Sequence, residues 1–294
     1  MLVDLPDGRR LDVLVAGPVD GTPLVFHYGT PSGAVPYPPM VDTAARHGLR
    51  TMVYSRPGYA GSTPQPDRTV AHAAADTAAI LDALGAGSFV TLGWSGGGPH
   101  ALACAALLPS RCAAAASLAG VAPFGAPGLD WLVGMGLDNL EEFGAAAAGE
   151  PALVAYLTEQ AAALAAIRGD DVAQALGDLI SEVDRRQLTG AFAEFLAASF
   201  RRAVSHGIAG WRDDDLAFVR DWGFALPDAS RSTPVAIWQG GQDRMVPYAH
   251  GEWLAANLPG ARAHLLPAEG HLSLVVGSFE EIVADLVAMA EENV

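Results

Sequence analysis

The stretch "VTLGWSGGGPHALA", residues 90–103, places Ser95 among four glycines, after an apolar run and before an alanine-rich segment. Gly93–Gly97 matches the pattern G-x-S-x-G, which forms a sharp turn between a strand and a helix and exposes a serine hydroxyl above the sheet edge. The alternative is a phosphate-binding loop of a dinucleotide fold, but that loop opens the first strand–helix unit and has the phasing G-x-G-x-x-G. Here the turn follows a later strand, so the sequence favours a nucleophile turn at Ser95.

Apolar runs of strand length alternate with helical segments on both sides of this turn. The predicted strands are "PLVFHYG", "LRTMVYSRPG", "SFVTLGWSGG", "CAAAASLAG", "PVAIWQGGQD" and "RAHLLPAEG". Helices are predicted near residues 39–47, 70–84, 97–108, 248–257 and 279–291, after an N-terminal hairpin that turns at Asp7-Gly8. This alternation predicts an α/β fold, with a mostly parallel twisted sheet and helices on both of its faces.

A different pattern occupies residues 123–232, where helical periodicity and many alanines replace the strand signals. Pro151 stands near the start of one predicted helix, and Gly207 stands at the end of another. The α/β pattern resumes at residue 233. We therefore predict a core domain made of residues 1–122 and 233–294, with an all-helical insertion at 123–232.

The composition narrows the classes of function. The chain is 51% hydrophobic, enough for one large core, and its formal net charge of −16 disfavours nucleic acid and anionic membrane surfaces as partners. All 17 basic residues are arginine, which excludes a lysine Schiff base, a P-loop lysine and a lysine general base. Cys104 and Cys112 have neither zinc-site nor disulfide spacing, so we predict buried free thiols.

The first residues, "MLVDLPDGRR", carry acids where a secretory signal would carry basic residues, so we expect a cytoplasmic protein. The apolar stretch from Ala101 to Leu129 is interrupted by Pro109, Arg111, Pro123 and Pro127, and no span of about 20 apolar residues remains for a membrane helix. The sequence does not assign an oligomeric state.

A nucleophilic serine needs a histidine base, and the histidine needs a carboxylate that orients it. Asp243 follows the strand "VAIWQG" and His271 follows the strand "RAHLLP", so both lie at the carboxyl ends of strands, where open α/β sheets bind ligands. The competing histidines fit less well, because His250 falls inside a predicted helix and His264 lies in mid-strand. We predict Ser95 as the nucleophile, His271 as the base and Asp243 as the orienting acid.

Acyl transfer also needs two donors for the oxyanion, one from the residue after the nucleophile and one from an earlier strand-to-helix loop. The first is the N–H of Gly96. The second is expected in "FHYGTPSG", where Gly29 lets the backbone turn and Thr30 offers its N–H; an ordinary Gly-Thr-Pro turn is the alternative. Three aromatic residues are candidates for the pocket wall: Tyr28, Trp94 and Trp211.

Taken together, the motifs "HYGTPSG", "SRPGYAGS", "GWSGGG", "GGQDRMVP" and "EGHLSL" resemble those of the α/β-hydrolase superfamily, in its serine-nucleophile branch with a helical cap between the sixth and seventh strands. The resemblance implies that residues 123–232 are the cap domain. Two positions depart from the family's pattern. Tyr28 stands where the family's H-G-x-P loop has its histidine, with His27 one residue earlier, and Ser55 replaces the Asp that opens the next loop.

The resemblance implies a serine hydrolase that cleaves a carboxylic ester, thioester or lactone of a small to medium apolar substrate through an acyl-enzyme on Ser95. It implies neither a metal nor an organic cofactor. A serine nucleophile argues against the dehalogenases and epoxide hydrolases of the superfamily, which use aspartate. Two alternatives stay open: the same triad serving a cofactor-free perhydrolase or a carbon–carbon bond hydrolase, and a non-catalytic ligand receptor on the same fold.

Overall fold

The computed structural model describes residues 1–293. Within that range, eight strands form one sheet. The strands are β1 (Leu2–Asp4), β2 (Arg10–Ala16), β3 (Thr22–His27), β4 (Leu49–Tyr54), β5 (Phe89–Trp94), β6 (Cys112–Leu118), β7 (Val235–Gly240) and β8 (Arg262–Leu266).

Eleven α-helices surround the sheet in the same range. They are α1 (Pro38–Arg46), α2 (His72–Ala83), α3 (Gly98–Leu107), α4 (Leu137–Ala148), α5 (Glu150–Leu164), α6 (Val172–Ala175), α7 (Glu182–Arg185), α8 (Gly190–Ala203), α9 (Ala209–Phe218), α10 (Tyr248–Asn257) and α11 (His271–Glu292). The four core helices predicted before α11 agree with the structure to within two residues at each end.

The order of the strands creates the crevice in which a site can form. The order is β1-β2-β4-β3-β5-β6-β7-β8, with β2 antiparallel to both of its neighbours and every pair from β4 to β8 parallel. After β3 the chain adds β4 on one side and then β5 on the other. Because the connections diverge there, a crevice opens at the carboxyl ends of β3 and β5. The loop after β3 and the turn after β5 therefore meet.

The core lies on both faces of the sheet. Side chains alternate along each strand, so Phe26 of β3 belongs to the core under α1 and α11, while its neighbour Val25 belongs to the core on the opposite face, under α2, α3 and α10. Burial on both faces explains why the strands read as continuous apolar runs. The predicted α/β fold with a mostly parallel sheet is confirmed.

The segment between β6 and β7 is helical and contains α4 to α9. Leu153 and Leu157 of α5 pack with Trp211 and Leu216 of α9 in a small apolar cluster that also includes Tyr59 from the loop after β4. The division into domains at residues 123 and 232 stays a prediction. No helix among residues 1–293 is long and apolar enough to cross a membrane. Cys104 and Cys112 are buried free thiols.

The last helix differs from the sequence prediction. We predict a start near Phe279, whereas α11 begins eight residues earlier, at His271. The first turn of α11 is stabilised by the carboxylate of Asp184, which lies in α7 and accepts hydrogen bonds from the N–H groups of Leu272 and Ser273. A cap supplied by a residue so distant in the sequence leaves no local signal at the helix start.

Two glycines make the turn after β5 possible. A Cβ on Gly93 would lie 2.1 Å from the carbonyl oxygen of Gly97, and a Cβ on Gly97 would lie 2.0 Å from that of His27. Real Cβ atoms do not approach backbone so closely, so a side chain at either position would force the strand and the turn apart. Gly93 and Gly97 are therefore required because the packing of the turn leaves no room for a side chain at either position.

We expect Gly93→Ala to lower the free energy of unfolding by about 1–3 kcal/mol or more, because its Cβ overlaps backbone that cannot move aside. Gly144→Ala is the matched control. Gly144 lies within α4, and a Cβ there would meet no atom within 4 Å, so alanine should stabilise the helix by up to about 1 kcal/mol. Urea unfolding of the two variants measures both effects, and equal unfolding midpoints would contradict the steric role of Gly93.

Candidate active site

Ser95 is the first residue after β5. Its φ of 57° lies in the left-handed region that residues other than glycine rarely adopt. A 3₁₀ turn over Ser95–Gly97 then leads directly into α3. Strained backbone at a single position of this kind is typical of functional turns. The turn holds Ser95 at the carboxyl edge of the sheet, above the crevice between β3 and β5.

His271 and Asp243 come together at the same edge. The Nδ1 atom of His271 lies 2.7 Å from Oδ2 of Asp243, and both side chains are buried. The other oxygen, Oδ1, accepts hydrogen bonds from the N–H groups of Met245 and Val246, each at 2.8 Å, and Gln239 donates to Oδ2 at 3.1 Å. A carboxylate fixed by these donors holds Nδ1 as the protonated nitrogen and leaves Nε2 able to accept a proton.

The electrostatic surroundings favour a positive charge on His271. Burial of the ring acts to lower the pKa of His271, but the charge and hydrogen bond of Asp243, together with the charge of Asp184, raise it above its ordinary value. The imidazolium form is thus stabilised where a general base would become positively charged.

Asp184 connects the helical segment to this histidine. Its carboxylate accepts hydrogen bonds from the N–H groups of His271 at 3.1 Å, Leu272 at 2.7 Å and Ser273 at 2.9 Å. It also accepts one from the hydroxyl of Ser181 at 2.9 Å. A helix N-terminus carries a partial positive charge that opposes a cation at its first residue. The Asp184 carboxylate offsets that charge and fixes the backbone that carries the imidazole.

The loop after β3 lies against the Ser95 turn, as the strand order requires. A Cβ on Gly29 would lie 3.2 Å from Cβ of Ser95, and a Cβ on Gly96 would lie 2.5 Å from Oγ1 of Thr30. No atom of residues 1–293 accepts a hydrogen bond from the N–H of Thr30. The Thr30 amide is therefore free to donate to a ligand beside Gly96.

Arg56 orients that loop. Its guanidinium donates to the carbonyl oxygens of Tyr28 at 2.6 Å and Gly29 at 2.9 Å, and to the hydroxyl of Thr30 at 2.8 Å. In a trans peptide the C=O and the following N–H point in opposite directions. Because the carbonyl of Gly29 is directed at Arg56, the N–H of Thr30 is directed away from Arg56.

The Arg56 side chain is in turn held by Asp214 of α9. Asp214 pairs with Arg56 at 2.6 Å and with Arg68 at 2.6 Å, and accepts hydrogen bonds from the hydroxyls of Tyr59 and Thr30, each at 2.9 Å. All the charged groups of this cluster are buried. A helix of the segment between β6 and β7 therefore contributes to the position of the loop after β3.

One cavity of about 240 Å³ brings the predicted residues together. Ser95, His271, Thr30 and Gly96 all line it, and the helical segment contributes apolar side chains that include Phe143 and Phe200. Asp243 lies behind His271, in contact with Nδ1. Nowhere in residues 1–293 does a group of three or more His, Cys, Asp or Glu side chains have an arrangement that could hold a metal ion.

The three aromatic candidates have different positions. Trp94 and Trp211 line the cavity, and the Trp94 ring lies 5.7 Å from that of His271. Tyr28 is not among the lining residues of this cavity. Its ring packs in the core against Phe26 and Phe195, and its hydroxyl donates to the carbonyl of Val35.

The competing histidines lie away from the cavity wall. His250 is buried, and its two ring nitrogens lie 3.1 Å from the N–H of Ala122 and 2.8 Å from the carbonyl oxygen of Trp131. His264 stacks on Trp238 at 3.8 Å and contacts Asp285 at 3.1 Å. Both rings have structural partners that account for them.

The motifs in the sequence did not indicate the acidic residues that the helical segment contributes. They are Glu142, Asp184, Asp214 and Asp215, and all lie within the region of helical periodicity. One signal was present: "WRDDDLAF", residues 211–218, sets three acids between apolar residues on a short helix. Such a helix cannot bury its apolar face without burying at least one acid, and buried acids need partners.

The family is shown by a sequence profile. The profile of the alpha/beta hydrolase fold matches residues 22–278. The chain belongs to the alpha/beta hydrolase family. Its fold class was therefore predicted correctly from the motifs around Ser95, Asp243 and His271.

Individual relatives agree with this assignment. A non-heme chloroperoxidase from Streptomyces lividans is 33% identical over 152 residues, which is 51% of this chain and 55% of that protein, so the match spans about half the length of the relative. The structure of an alpha/beta hydrolase fold protein from Nakamurella multipartita is 25% identical and superposes over 99% of each chain with a TM-score of 0.65. An enol-lactonase from Burkholderia xenovorans LB400 is 18% identical, covering 98% of this chain and 100% of its own, with a TM-score of 0.69.

We expect Asp184→Ala to lower the free energy of unfolding by about 1–3 kcal/mol, because three N–H groups of α11 lose their acceptor. The pKa of His271 should also fall, since a negative charge near the imidazole is removed. Urea unfolding and NMR titration of the His271 ring protons measure the two effects.

Glu182→Ala is the control for Asp184→Ala. Glu182 lies on the same helix, α7, but is exposed and pairs with Arg186. The Glu182→Ala substitution removes the same charge but leaves the Asp184 carboxylate in place as the acceptor at the start of α11. If the two variants shift the His271 titration equally, Asp184 has no special role at that helix start.

Proposed function

We propose that the protein hydrolyses carboxylic esters through an acyl-enzyme on Ser95. The observation that carries the proposal is the 2.7 Å contact between His271 and Asp243, on a histidine that lines one cavity with Ser95. A nucleophile, a base and an orienting acid with these contacts are what acyl transfer requires. We also propose residues 123–232 as the cap domain that completes the cavity wall.

In the first half of the reaction, Oγ of Ser95 attacks the ester carbonyl carbon while Nε2 of His271 takes the serine proton. The carbonyl oxygen becomes an oxyanion, and the N–H groups of Thr30 and Gly96 donate to it. The tetrahedral intermediate then breaks its bond to the alcohol oxygen. His271 gives its proton to that oxygen, and the alcohol leaves while the acyl group stays on Ser95.

In the second half, water replaces the alcohol. His271 takes a proton from the water as its oxygen attacks the acyl carbon, and the same two N–H groups receive the second oxyanion. The bond between the acyl carbon and Oγ breaks, His271 returns the proton to Ser95, and a carboxylic acid is released. Asp243 stays ionised throughout and keeps Nδ1 protonated.

The cavity limits the substrate. A volume of about 240 Å³ lies below the range of about 300–1,000 Å³ that is usual for sites holding drug-sized ligands. With Phe143, Phe200 and Leu164 in its wall, it suits a small to medium apolar acyl or alcohol group. Thioesters and lactones present the same acyl carbon and follow the same steps.

Perhydrolysis is the second candidate, and the chloroperoxidase relative favours it. Hydrogen peroxide would attack the acyl-enzyme in place of water, and a peracid would leave instead of a carboxylic acid. Measuring peracid and carboxylic acid from an acetate ester, at increasing peroxide concentrations, separates the two reactions. A constant yield of carboxylic acid with no peracid would exclude the second candidate.

A fluorophosphonate probe tests the nucleophile. We expect the folded wild-type protein to be labelled on Ser95, Ser95→Ala to remain unlabelled, and His271→Ala to react roughly 10²–10⁴-fold more slowly because its general base is gone. His264→Ala is the control and should react at the wild-type rate, since His264 does not line the cavity. Labelling that survives in Ser95→Ala, or that depends on His264 instead of His271, would overturn the proposed function.

The pH dependence follows from the raised pKa of His271. The base must be neutral to accept the serine proton, so kcat/KM should fall as the pH drops through the pKa of His271. Because that pKa lies above its ordinary value of 6.5, the acid limb should reach half of its plateau above pH 6.5. A pH-stat assay with a phenyl ester checks this, and a midpoint below that value would contradict the assigned environment of the base.

A further inference from the structure

The wall of the cavity contains a pair of carboxyl groups that the proposed reaction does not use. Glu142 of α4 and Asp215 of α9 both line the cavity with Ser95 and His271. Glu142 is the more exposed of the two, whereas Asp215 is 0% exposed. Their carboxyl groups lie within hydrogen-bonding range of each other. Two acids that meet inside a largely apolar cavity require an explanation.

The pair lacks the donors that buried carboxylates normally have. Among residues 1–293, neither carboxyl oxygen of Asp215 receives a hydrogen bond from a donor group. Glu142 accepts one from Nε1 of Trp211 at 2.8 Å. Asp214, the next residue along α9, shows the contrast, because two arginines and two hydroxyls donate to it. Burying a carboxylate without such donors is costly, so the pair is stable only when it holds a proton or meets a cation.

No cationic side chain of residues 1–293 donates a hydrogen bond to the pair. The other titratable groups near the pair are two acids and a phenol: Asp138 on α4, Asp214 on α9 and Tyr156 on α5. The charge of Arg68 acts to lower the pKa of Asp215. The Arg68 guanidinium, however, donates its hydrogen bonds to Asp214 and to the carbonyl oxygens of Pro57 and Gly210. Arg212 on α9 pairs with Glu150 and Asp213 instead.

The protonation of the pair is set by its burial. Burial raises the pKa of Glu142 to about 7, and the charge of Asp138 adds to this. Burial and the neighbouring Glu142 raise the pKa of Asp215 well above its ordinary value. Both shifts favour a proton on the pair, and a cation that binds between the two carboxyl groups can displace it.

We propose that Glu142 and Asp215 form a subsite for a primary ammonium group, so that the substrate is an ester whose acyl or alcohol part carries an amine. This proposal rests on the proposed ester hydrolysis at Ser95. An ammonium group is compact and has three N–H donors, which fits two carboxylates in a cavity of about 240 Å³. Its alkyl chain would lie along the apolar wall formed by Phe143 and Phe200.

Isothermal titration with n-butylammonium and n-butanol tests the subsite without turnover. The two molecules match in size and differ in charge. We expect the wild-type protein to bind butylammonium at least about tenfold more tightly than butanol, as charged hydrogen bonds would give. The affinity for butylammonium should increase as the pH rises through about 7, where Glu142 loses its proton. Equal affinity for the two molecules would overturn the proposal.

Two variants locate the binding. Asp215→Asn and Glu142→Gln should each weaken butylammonium binding by about tenfold or more while binding of butanol stays measurable. Glu141→Gln is the matched control, because Glu141 is an exposed acid on the same helix, and it should bind as the wild type does. Thermal unfolding of each variant confirms that it is folded. Undiminished affinity in a folded Asp215→Asn and a folded Glu142→Gln would overturn the proposal.

Butylammonium should also slow the labelling of Ser95 by the fluorophosphonate probe, because both occupy one cavity. The possible failures differ. If Ser95 is never labelled, the proposed function fails while the titration still reports on the pair. If Ser95 is labelled at the same rate with and without bound butylammonium, the subsite lies outside the reaction cavity and the proposal fails alone.

Discussion

The arrangement of the site depends on the buried ion pairs that the Asp214 carboxylate makes with Arg56 and Arg68. Burial alone would raise the pKa of Asp214, but the charges of Arg56 and Arg68 hold it well below its usual range. A buried ion is stable only when its partners and hydrogen bonds offset the loss of hydration. The loops after β3 and β4 and the helix α9 each supply part of this cluster, so movement of any of the three would break buried hydrogen bonds or ion pairs. The direction of the Thr30 amide follows from that condition.

The helical segment therefore supports the site from two sides. Asp214 fixes the loop that presents Thr30, and Asp184 fixes the helix start that presents His271. Both acids belong to the segment between β6 and β7, while the groups that they hold belong to the sheet edge. A segment that only covered the cavity would need no buried charge at its base. Separating the helical segment from the core would leave both carboxylates without their hydrogen-bond partners. The stability of the segment is therefore coupled to that of the site.

How much the sequence predicted depends on where the partners of each residue lie. Ser95, Asp243 and His271 could be named as candidates because each stands within a few residues of the end of a strand, and parallel strands bring their carboxyl ends to one edge. Asp184 and Asp214 were missed because their partners lie far away in the chain, so no periodicity or spacing connects them. Acids on helices are usually exposed, so a run such as "RDDD" is by itself typical of a solvated face. The start of α11 was missed for the same reason, since its cap comes from α7.

The charges around the cavity match those that acyl transfer would develop. On the side of Thr30, Arg56 and Arg68 outnumber Asp214, and His100 stays neutral because burial and the nearby Arg56 lower its pKa to about 3. This leaves a net positive charge behind the loop, and the N-terminus of α3 beside Gly96 adds a partial one. On the other side, Asp243 and Asp184 supply negative charge next to His271. An oxyanion beside Thr30 would thus face positive charge, and an imidazolium at His271 would face negative charge. These protein groups are already in place, so they need not rearrange as the charges form.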